Sequence, residues 1–370
     1  MKFFNNDSLS QRLNTVFSYA LDKKVFPGAA VGISLWNGNK YSRNIYHYGL
    51  SQSCPVPIKL TRDTFFDLAS LTKALATVPA LLSLMEENKI IWDLTLNKIF
   101  QEEIPEDKAQ ITIKQLMSHC SGLPAHNEYF KKLLKLKESE KRKLLLTWIL
   151  QEKLIYPPGT DFVYSDLGFI LLGFIIEKIS GKSLDEYVKE KIYKPLHLQN
   201  ELVFAEKEKR KDFFCAATET CPWTGKILSG RVHDDNCRAM GGVAGHAGLF
   251  GTIDGVVQWC EQLLSQIKGR TKHPSYGNEN LRKAVTKNGN SNWTPGFDTP
   301  SITGSSSGQF FSASSFGHLG FTGTSFWIDP QKEIIIVLLT NRVHPSKQNE
   351  LIKKFRPFFH DMIMRCLYYK

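Results

Sequence analysis

Behind Asp67, the apolar residues Leu68, Leu71, Leu75, Val78, Leu82 and Met85 recur at steps of three and four, the spacing of one helix face. Asp67 has the short acidic side chain of an N-cap, so the pattern predicts a helix opening there with Ser70 in its first turn. No charge occurs from Ala74 to Met85, which predicts a helix running through the interior. A second apolar run, Leu167-Gly-Phe-Ile-Leu-Leu-Gly-Phe-Ile-Ile, follows the turn-rich Tyr156-Pro-Pro-Gly-Thr-Asp-Phe-Val and reads as another buried helix. Towards the ends of the chain, residues 10–24 have helical spacing, 28–36 and 40–49 read as strands, and 316–330 with 333–341 read as strand, turn, strand, turn, strand. A final helix is expected over residues 346–367. Residues 288–315, rich in Gly, Ser, Asn and Thr, are too long for an ordinary connector. They read either as a surface excursion or as a functional loop that brings Trp293, Phe297 and Asp298 to the rim of a cleft.

Three short motifs fall on these elements and carry chemistry. In Ser70-Leu-Thr-Lys73 the hydroxyl and the amine are i,i+3 neighbours on one helix face, so the amine can reach the hydroxyl. Burial of that helix lowers an amine pKa, and a partly neutral Lys73 could then accept the serine proton. Tyr164, in Tyr164-Ser-Asp166, stands at the junction of a turn and a buried helix, where a phenol can project into a cleft and relay a proton. His318-Leu-Gly320 opens a strand segment with glycines at 317, 320 and 323, whose backbone a ligand can approach closely. Nucleophile, amine, phenol and backbone N–H donors are the parts of an acyl-transfer site. A second Ser-x-x-Lys, Ser265-Gln-Ile-Lys268, lacks this context.

Composition narrows the setting. The chain has 370 residues, 42% of them hydrophobic, enough for a large core, and a formal charge of +11. Much of that charge lies in Lys131-Lys-Leu-Leu-Lys-Leu-Lys-Glu-Ser-Glu-Lys-Arg-Lys143, which acidic residues interrupt and no nucleic-acid motif accompanies. It reads as a solvated helix, and no nucleic-acid partner is expected. Seven cysteines, odd in number and without a CxxC pair, fit thiols in a reducing compartment. Cys221, His233 and Cys237 match no standard zinc spacing, and neither metal nor cofactor is needed for the chemistry. The start, Met1-Lys-Phe-Phe-Asn-Asn-Asp, has no apolar signal core, and no apolar run spans a bilayer. A cytoplasmic location is expected, or a periplasmic one if a leader has been removed.

The order SxxK, YxN-like and HxG, with Ser118-His-Cys-Ser-Gly-Leu-Pro124 between the first two and Pro157-Pro-Gly before the second, resembles the class C β-lactamase and penicillin-binding-protein superfamily. The stretch from Gly230 to Phe250 is most similar to its β-lactamase-related serine hydrolases, some of them muropeptide amidases. The resemblance covers nearly the whole chain. It implies an α+β, β-lactamase/transpeptidase-like fold: one antiparallel sheet flanked by N- and C-terminal helices, with a large mainly helical insertion. Residues 1–62 plus 288–370 would form the sheet lobe and 63–287 the helical lobe, with the active site between them. Ser70 would be the acylated nucleophile, Lys73 its proton acceptor and Tyr164 the relay to the leaving group and the water. The N–H groups of Ser70 and Phe321 would form the oxyanion hole, and His318 would stand where the superfamily usually has lysine, orienting Tyr164 and holding an anionic substrate group. Asp166, Gly320, His246, His233 and Trp293 would contact substrate, and Asp234 would lie in the cleft.

Two departures bear on substrate. Asp166 stands where the superfamily usually has Asn, replacing an amide donor by an acceptor, and an ionised Asp166 would raise the Lys73 pKa. His318 in place of lysine weakens the fixed positive charge that grips a carboxylate, and its charge would vary near a pKa of about 6.5. The expected activity is therefore serine acyl hydrolysis of an amide or ester, on a peptidoglycan-derived fragment or a small ester, with β-lactams as slow acylating ligands. The alternatives are a weak β-lactamase or D,D-peptidase, and a non-catalytic binding or scaffold member of the same fold.

Overall fold

The computed structural model describes residues 6–100, 104–209, 211, 213–287, 291 and 293–368, with side chains from residue 9 onward. Two β-strands near the N-terminus, β1 (Gly28–Trp36) and β2 (Tyr41–Gln52), pair antiparallel, and β3 (Ile58–Lys59) adds to their outer edge. The strands β4 (Phe66–Asp67), β5 (Leu202–Phe204) and β6 (Leu249–Gly251) make a separate small sheet in the order β4-β6-β5. Five more, β7 (Trp293–Thr294), β8 (Phe297–Asp298), β9 (Phe316–Leu319), β10 (Ser325–Asp329) and β11 (Ile334–Thr340), complete an eight-stranded sheet ordered β3-β2-β1-β11-β10-β9-β8-β7. The predicted antiparallel sheet of N- and C-terminal strands is thus present, and β1 pairs with β11 from Ala29↔Thr340 to Leu35↔Ile334.

Both faces of that sheet are covered, so its central strands are apolar on both sides. Val31, Ile33, Ile336 and Leu338 pack against Leu13 and Phe17 of the first helix, Asn6–Asp22, and Phe355 and Phe359 of the last, Ile352–Tyr368. Ile335, Val337 and Leu339 point the other way, onto Ile253, Val256 and Val257 of the helix Ile253–Ile267. Gly32 is where that helix comes closest. A Cβ there would lie 2.3 Å from the Val257 methyl, so only glycine fits without displacement.

Several elements differ from the sequence-based expectation. The last helix begins six residues later than predicted, because Arg342 binds the carbonyls of Lys347 and Asn349 (3.0 and 2.7 Å) and holds that segment as a turn. The basic run is broken into Phe130–Leu133 and Glu138–Gln151, with Lys131 paired to Glu128 and Lys141 to Glu138. The segment expected as one long loop from residue 288 contains β7 and β8; residues 288–290 and 292 lie outside the described residues. Phe297 does not rim a cleft: it is buried edge-on between Phe316 and Phe326, where an aromatic gains most from burial.

Candidate active site

Asp67 does not cap a helix as expected. It ends β4, fully buried, with Oδ1 accepting from the Ala69 N–H at 2.8 Å and Oδ2 from the His233 N–H at 2.7 Å. This hold bends the chain so sharply that Ala69 takes φ +49°, a left-handed conformation that costs a residue with a Cβ about 1 kcal/mol or more. Ser70 is thereby placed just before the helix that opens at Leu71, rather than inside its first turn. A π-helical turn, Lys73–Thr77, follows and leads into Val78–Glu86. Pro79 has no N–H for the Leu75 carbonyl, and the Tyr193 hydroxyl satisfies that carbonyl instead at 3.1 Å.

Lys73 is completely buried and spends each of its three ammonium hydrogens on one acceptor: Ser70 Oγ at 3.0 Å, Asp166 Oδ1 at 2.7 Å and the His246 carbonyl at 3.3 Å. Burial pulls its pKa down, but the charge of Asp166 and the proximity of Tyr164 outweigh burial, and the net shift is upward. The partly neutral lysine expected from desolvation alone is therefore corrected: the resting amine is an ammonium. Asp166 shows the other half of the pairing. Burial opposes its ionisation, yet Lys73 and then His126 hold its carboxyl well below the usual range. Its position helps, since it is the first residue of the helix Asp166–Ser180, where the backbone dipole favours a carboxylate.

Tyr164 is fixed one residue ahead of Ser165, whose Oγ caps that helix by accepting from the Gly168 N–H at 3.2 Å. The Ser165 N–H donates to His119 Nδ1 at 3.1 Å, so the His119 ring, 4.4 Å from the Tyr164 ring, sets the phenol's plane. Lys73 Nζ lies 4.8 Å from the Tyr164 ring centre. Burial raises the phenol pKa to about 12 even though Lys73 and Ser70 pull the other way through charge and hydrogen bonding. Trp293 stands 6.2 Å from Tyr164 and 5.6 Å from His119, half-buried beside the pair. His119, within Ser118–Pro124, carries no sequence signal of this supporting role, since a lone histidine is ordinarily a structural imidazole.

His318 lies on β9 opposite Phe326, with its ring 6.2 Å from that of Tyr164. Its Nδ1 meets the Leu319 carbonyl at 2.9 Å, which requires the proton there and leaves Nε2 as an acceptor. Burial first, then the charge of Lys73, pushes its pKa down to about 3. The expected change of charge near neutral pH is thus corrected: a buried neutral imidazole faces the site. Beyond it the chain turns through Gly320–Thr324, closed by the Gly320 N–H on the Thr324 carbonyl at 2.7 Å. A Cβ at Gly320 would lie 2.0 Å from Thr324 Oγ1, so this turn needs glycine there. The Thr322 and Thr324 hydroxyls donate to the carbonyls of Asp67 and Leu68 at 2.7 and 3.1 Å, which ties the turn to the segment that carries Ser70. Phe321, 52% exposed, stacks between His233 and the Arg342 guanidinium.

The remaining sequence candidates are distributed unevenly. His246 is only 1% exposed; its Nε2 meets Asp234 Oδ1 at 2.9 Å and its carbonyl receives Lys73, so it supports the ammonium instead of presenting a ring to a ligand. Asp234 is pushed down to about 2: burial opposes ionisation, but His246 favours it. His233 bridges Glu219, at 2.8 Å, and the ring of Phe321 at the cleft edge. Among the described residues no group of three or more His, Cys, Asp or Glu side chains is arranged to hold a metal ion.

Asp298, on β8 opposite Gly317, accepts from Trp293 but has a buried Oδ1 without a partner among the described residues. Burial raises its pKa to about 7. The folded protein therefore binds this proton more tightly than the unfolded chain, and that stabilisation fades as pH rises from about 4 through 7. Asp298→Asn is expected to raise the melting temperature more at pH 8.5 than at pH 4.5. Equal changes at the two pH values, in scanning calorimetry, would refute this.

The Ser70, Lys73 and Tyr164 side chains thus meet in one cluster, with an ion pair at 2.7 Å behind them and the Gly320–Thr324 turn tied to the segment that carries Ser70. Such an arrangement can carry nucleophilic acyl transfer. The family model described as Beta-lactamase matches residues 13–356. A putative D-alanyl-D-alanine carboxypeptidase of Escherichia coli (strain K12) is 33% identical over 320 residues, covering 78% of this chain and 71% of that protein. Among solved structures, EstCE1, a hydrolase with promiscuous acyltransferase activity, superposes with a TM-score of 0.71 at 21% identity, covering 95% of this chain and 99% of that one. The octameric penicillin-binding protein homologue from Pyrococcus abyssi gives 0.71 at 20% identity, with 96% and 77% covered. At those identities the two structures speak for the fold; the family match and the carboxypeptidase relative speak for descent. The chain belongs to the β-lactamase family of serine hydrolases.

Proposed function

We propose that the protein hydrolyses an amide or ester through an acyl-enzyme on Ser70. The observation that carries this reading is the convergence of Ser70 Oγ, Lys73 Nζ and Tyr164 in one buried cluster. In the resting state Lys73 is an ammonium and Tyr164 a neutral phenol, so one proton must leave this pair before attack. The deprotonated pair then takes the Ser70 proton while Oγ bonds to the acyl carbon. The oxyanion that forms lies between the N–H groups of Ser70 and Phe321. Tyr164 returns the proton to the leaving nitrogen or oxygen as that bond breaks, and water repeats the sequence to release the acid.

Substrate class follows from charge. Lys73 has its hydrogens committed and His318 is neutral, so neither offers a free cation to a terminal carboxylate. A peptidoglycan-derived amide without that carboxylate, or a small ester, fits better than a substrate held by it. The name of the Escherichia coli relative makes D-alanyl peptides the natural comparison. In parallel assays, p-nitrophenyl butyrate is expected to be hydrolysed, and an N-acylated D-Ala-D-Ala C-terminal amide to be cleaved at least as well as its free acid. Penicillin is expected to acylate slowly. A preference of roughly tenfold or more for the free acid, about 1.4 kcal/mol, would contradict the charge argument.

A further inference from the structure

The backbone donor expected at Phe321 has an unusual neighbour on its far side. Arg356, buried in the last helix, directs one guanidinium nitrogen to both ends of the turn, 2.8 Å from the Gly320 carbonyl and 2.8 Å from that of Thr324. Arg342 Nε holds the next carbonyl, that of Phe321, at 2.8 Å. The two carbonyls flanking the Phe321 N–H are therefore each gripped by a guanidinium. In a trans peptide, C=O and N–H point to opposite sides of the chain. A cation bound to the Gly320 oxygen thus lies behind the Phe321 N–H and polarises it towards the cleft, since a hydrogen bond at one end of a peptide strengthens the donor at the other.

The other donor is built the same way. The peptide that carries the Ser70 N–H has as its carbonyl that of Ala69, which accepts from Thr72 Oγ1 at 2.7 Å and from the Thr72 N–H at 3.0 Å. Thr72 Oγ1 in turn accepts from the Leu249 N–H at 3.1 Å. Both peptides are backed by buried side chains.

We propose that Arg356 is a positioning residue for acyl transfer: it orients and polarises the Gly320–Phe321 peptide so that the Phe321 N–H binds the oxyanion, with Thr72 doing the same for Ser70. This rests on the reading of Ser70 as nucleophile. One terminal nitrogen, with two hydrogens, reaches both carbonyls at once from a fixed place in a helix, and the guanidinium keeps its charge at neutral pH. Its groups within reach are the carbonyls of Gly320 and Thr324, with Asp298 and Arg342 supplying the nearby charges.

The test compares wild type, Arg356→Lys, Arg356→Met and Ser70→Ala in p-nitrophenyl butyrate kinetics and in binding of phenylboronic acid. The boron accepts a lone pair from the serine oxygen, the serine proton departs to the Lys73–Tyr164 pair or solvent, and the tetrahedral anion directs an oxygen at the hole. Arg356→Met is expected to lower kcat by roughly 10- to 100-fold, below or at the edge of losing one oxyanion donor outright, with KM within about threefold. Boronate affinity should weaken by a similar factor, and Arg356→Lys should recover most of both. Unchanged kcat and boronate affinity in a folded Arg356→Met protein would overturn the proposal, as would a loss confined to KM. If Arg356→Met does not fold, Thr72→Val with Thr72→Ser as control asks the same of the Ser70 peptide. An unaltered kcat in Thr72→Val overturns the account. Boronate binding that survives in Ser70→Ala would instead sink the nucleophile assignment, which separates the two failures.

Discussion

Ser70→Ala is expected to lower kcat/KM for p-nitrophenyl butyrate by roughly 10⁴-fold or more, because removing the nucleophile leaves only binding and oxyanion stabilisation. The protein should remain folded. Ser70 has lost little by way of packing when its hydroxyl goes, and Lys73 keeps Asp166 and the His246 carbonyl as acceptors. Ser265→Ala is the control and should retain activity. Ser265 shares the SxxK spacing, but it sits in the helix Ile253–Ile267 with Oγ bonded to the Tyr41 hydroxyl at 3.1 Å, while Lys268 pairs with Glu333 at 3.3 Å. Ordinary activity in Ser70→Ala would end the acyl-enzyme account.

Lys73→Ala and Tyr164→Phe are each expected to cost roughly 10²-fold or more in acylation or deacylation, and the double variant much less than the product, since both serve one proton relay. The pH profile follows from the same cluster. Asp166 raises the Lys73 pKa above its usual value, and burial raises that of Tyr164 to about 12, so the basic form of either is scarce at pH 7. Each rise of one pH unit increases that form about tenfold, and log kcat/KM should climb with a slope near 1 from pH 7 towards 10. His318 adds no limb near a pKa of about 6.5, because burial and then the charge of Lys73 push its pKa down to about 3. Asp166→Asn removes the anion that holds the Lys73 proton, leaving burial opposed only by Tyr164, and should move the limb to lower pH. A wild-type profile with a plateau beginning near pH 7, or an Asp166→Asn profile that does not move, would show that this cluster is not the base.

The two sheet halves, the helix after Ser70 and the helix after Tyr164 were all legible, because apolar periodicity of 2 or 3.6 follows directly from one buried face. The family resemblance carried by the order of the three motifs implied that Ser70, Lys73, Tyr164 and His318 share one place. Protonation states were legible only in part: the upward pull of Asp166 on Lys73 was expected, but not that it would outweigh burial, and the neutral His318 was not. The neutral His318 depends on the Leu319 carbonyl at 2.9 Å and on burial, and the charged Lys73 depends on Asp166, ninety-three positions away. The extent of burial around each group, which decides the balance, leaves no local pattern. The same holds for Asp67, which reads as an N-cap by residue type yet is drawn into β4 by the N–H groups of Ala69 and His233. Arg356 was also invisible, since an arginine in a terminal helix is ordinarily a solvated charge and only the fold shows it reaching under the Gly320 turn.

The central claim is a covalent acyl-enzyme at one serine, and intact mass after exposure to an acyl-serine probe such as a fluorophosphonate tests it most directly. The serine oxygen bonds to phosphorus and fluoride departs with the serine proton as hydrogen fluoride. The account predicts a single adduct that peptide mapping places on Ser70 and that is lost in Ser70→Ala. An adduct mapped to Ser265, or one that persists in Ser70→Ala, would contradict it.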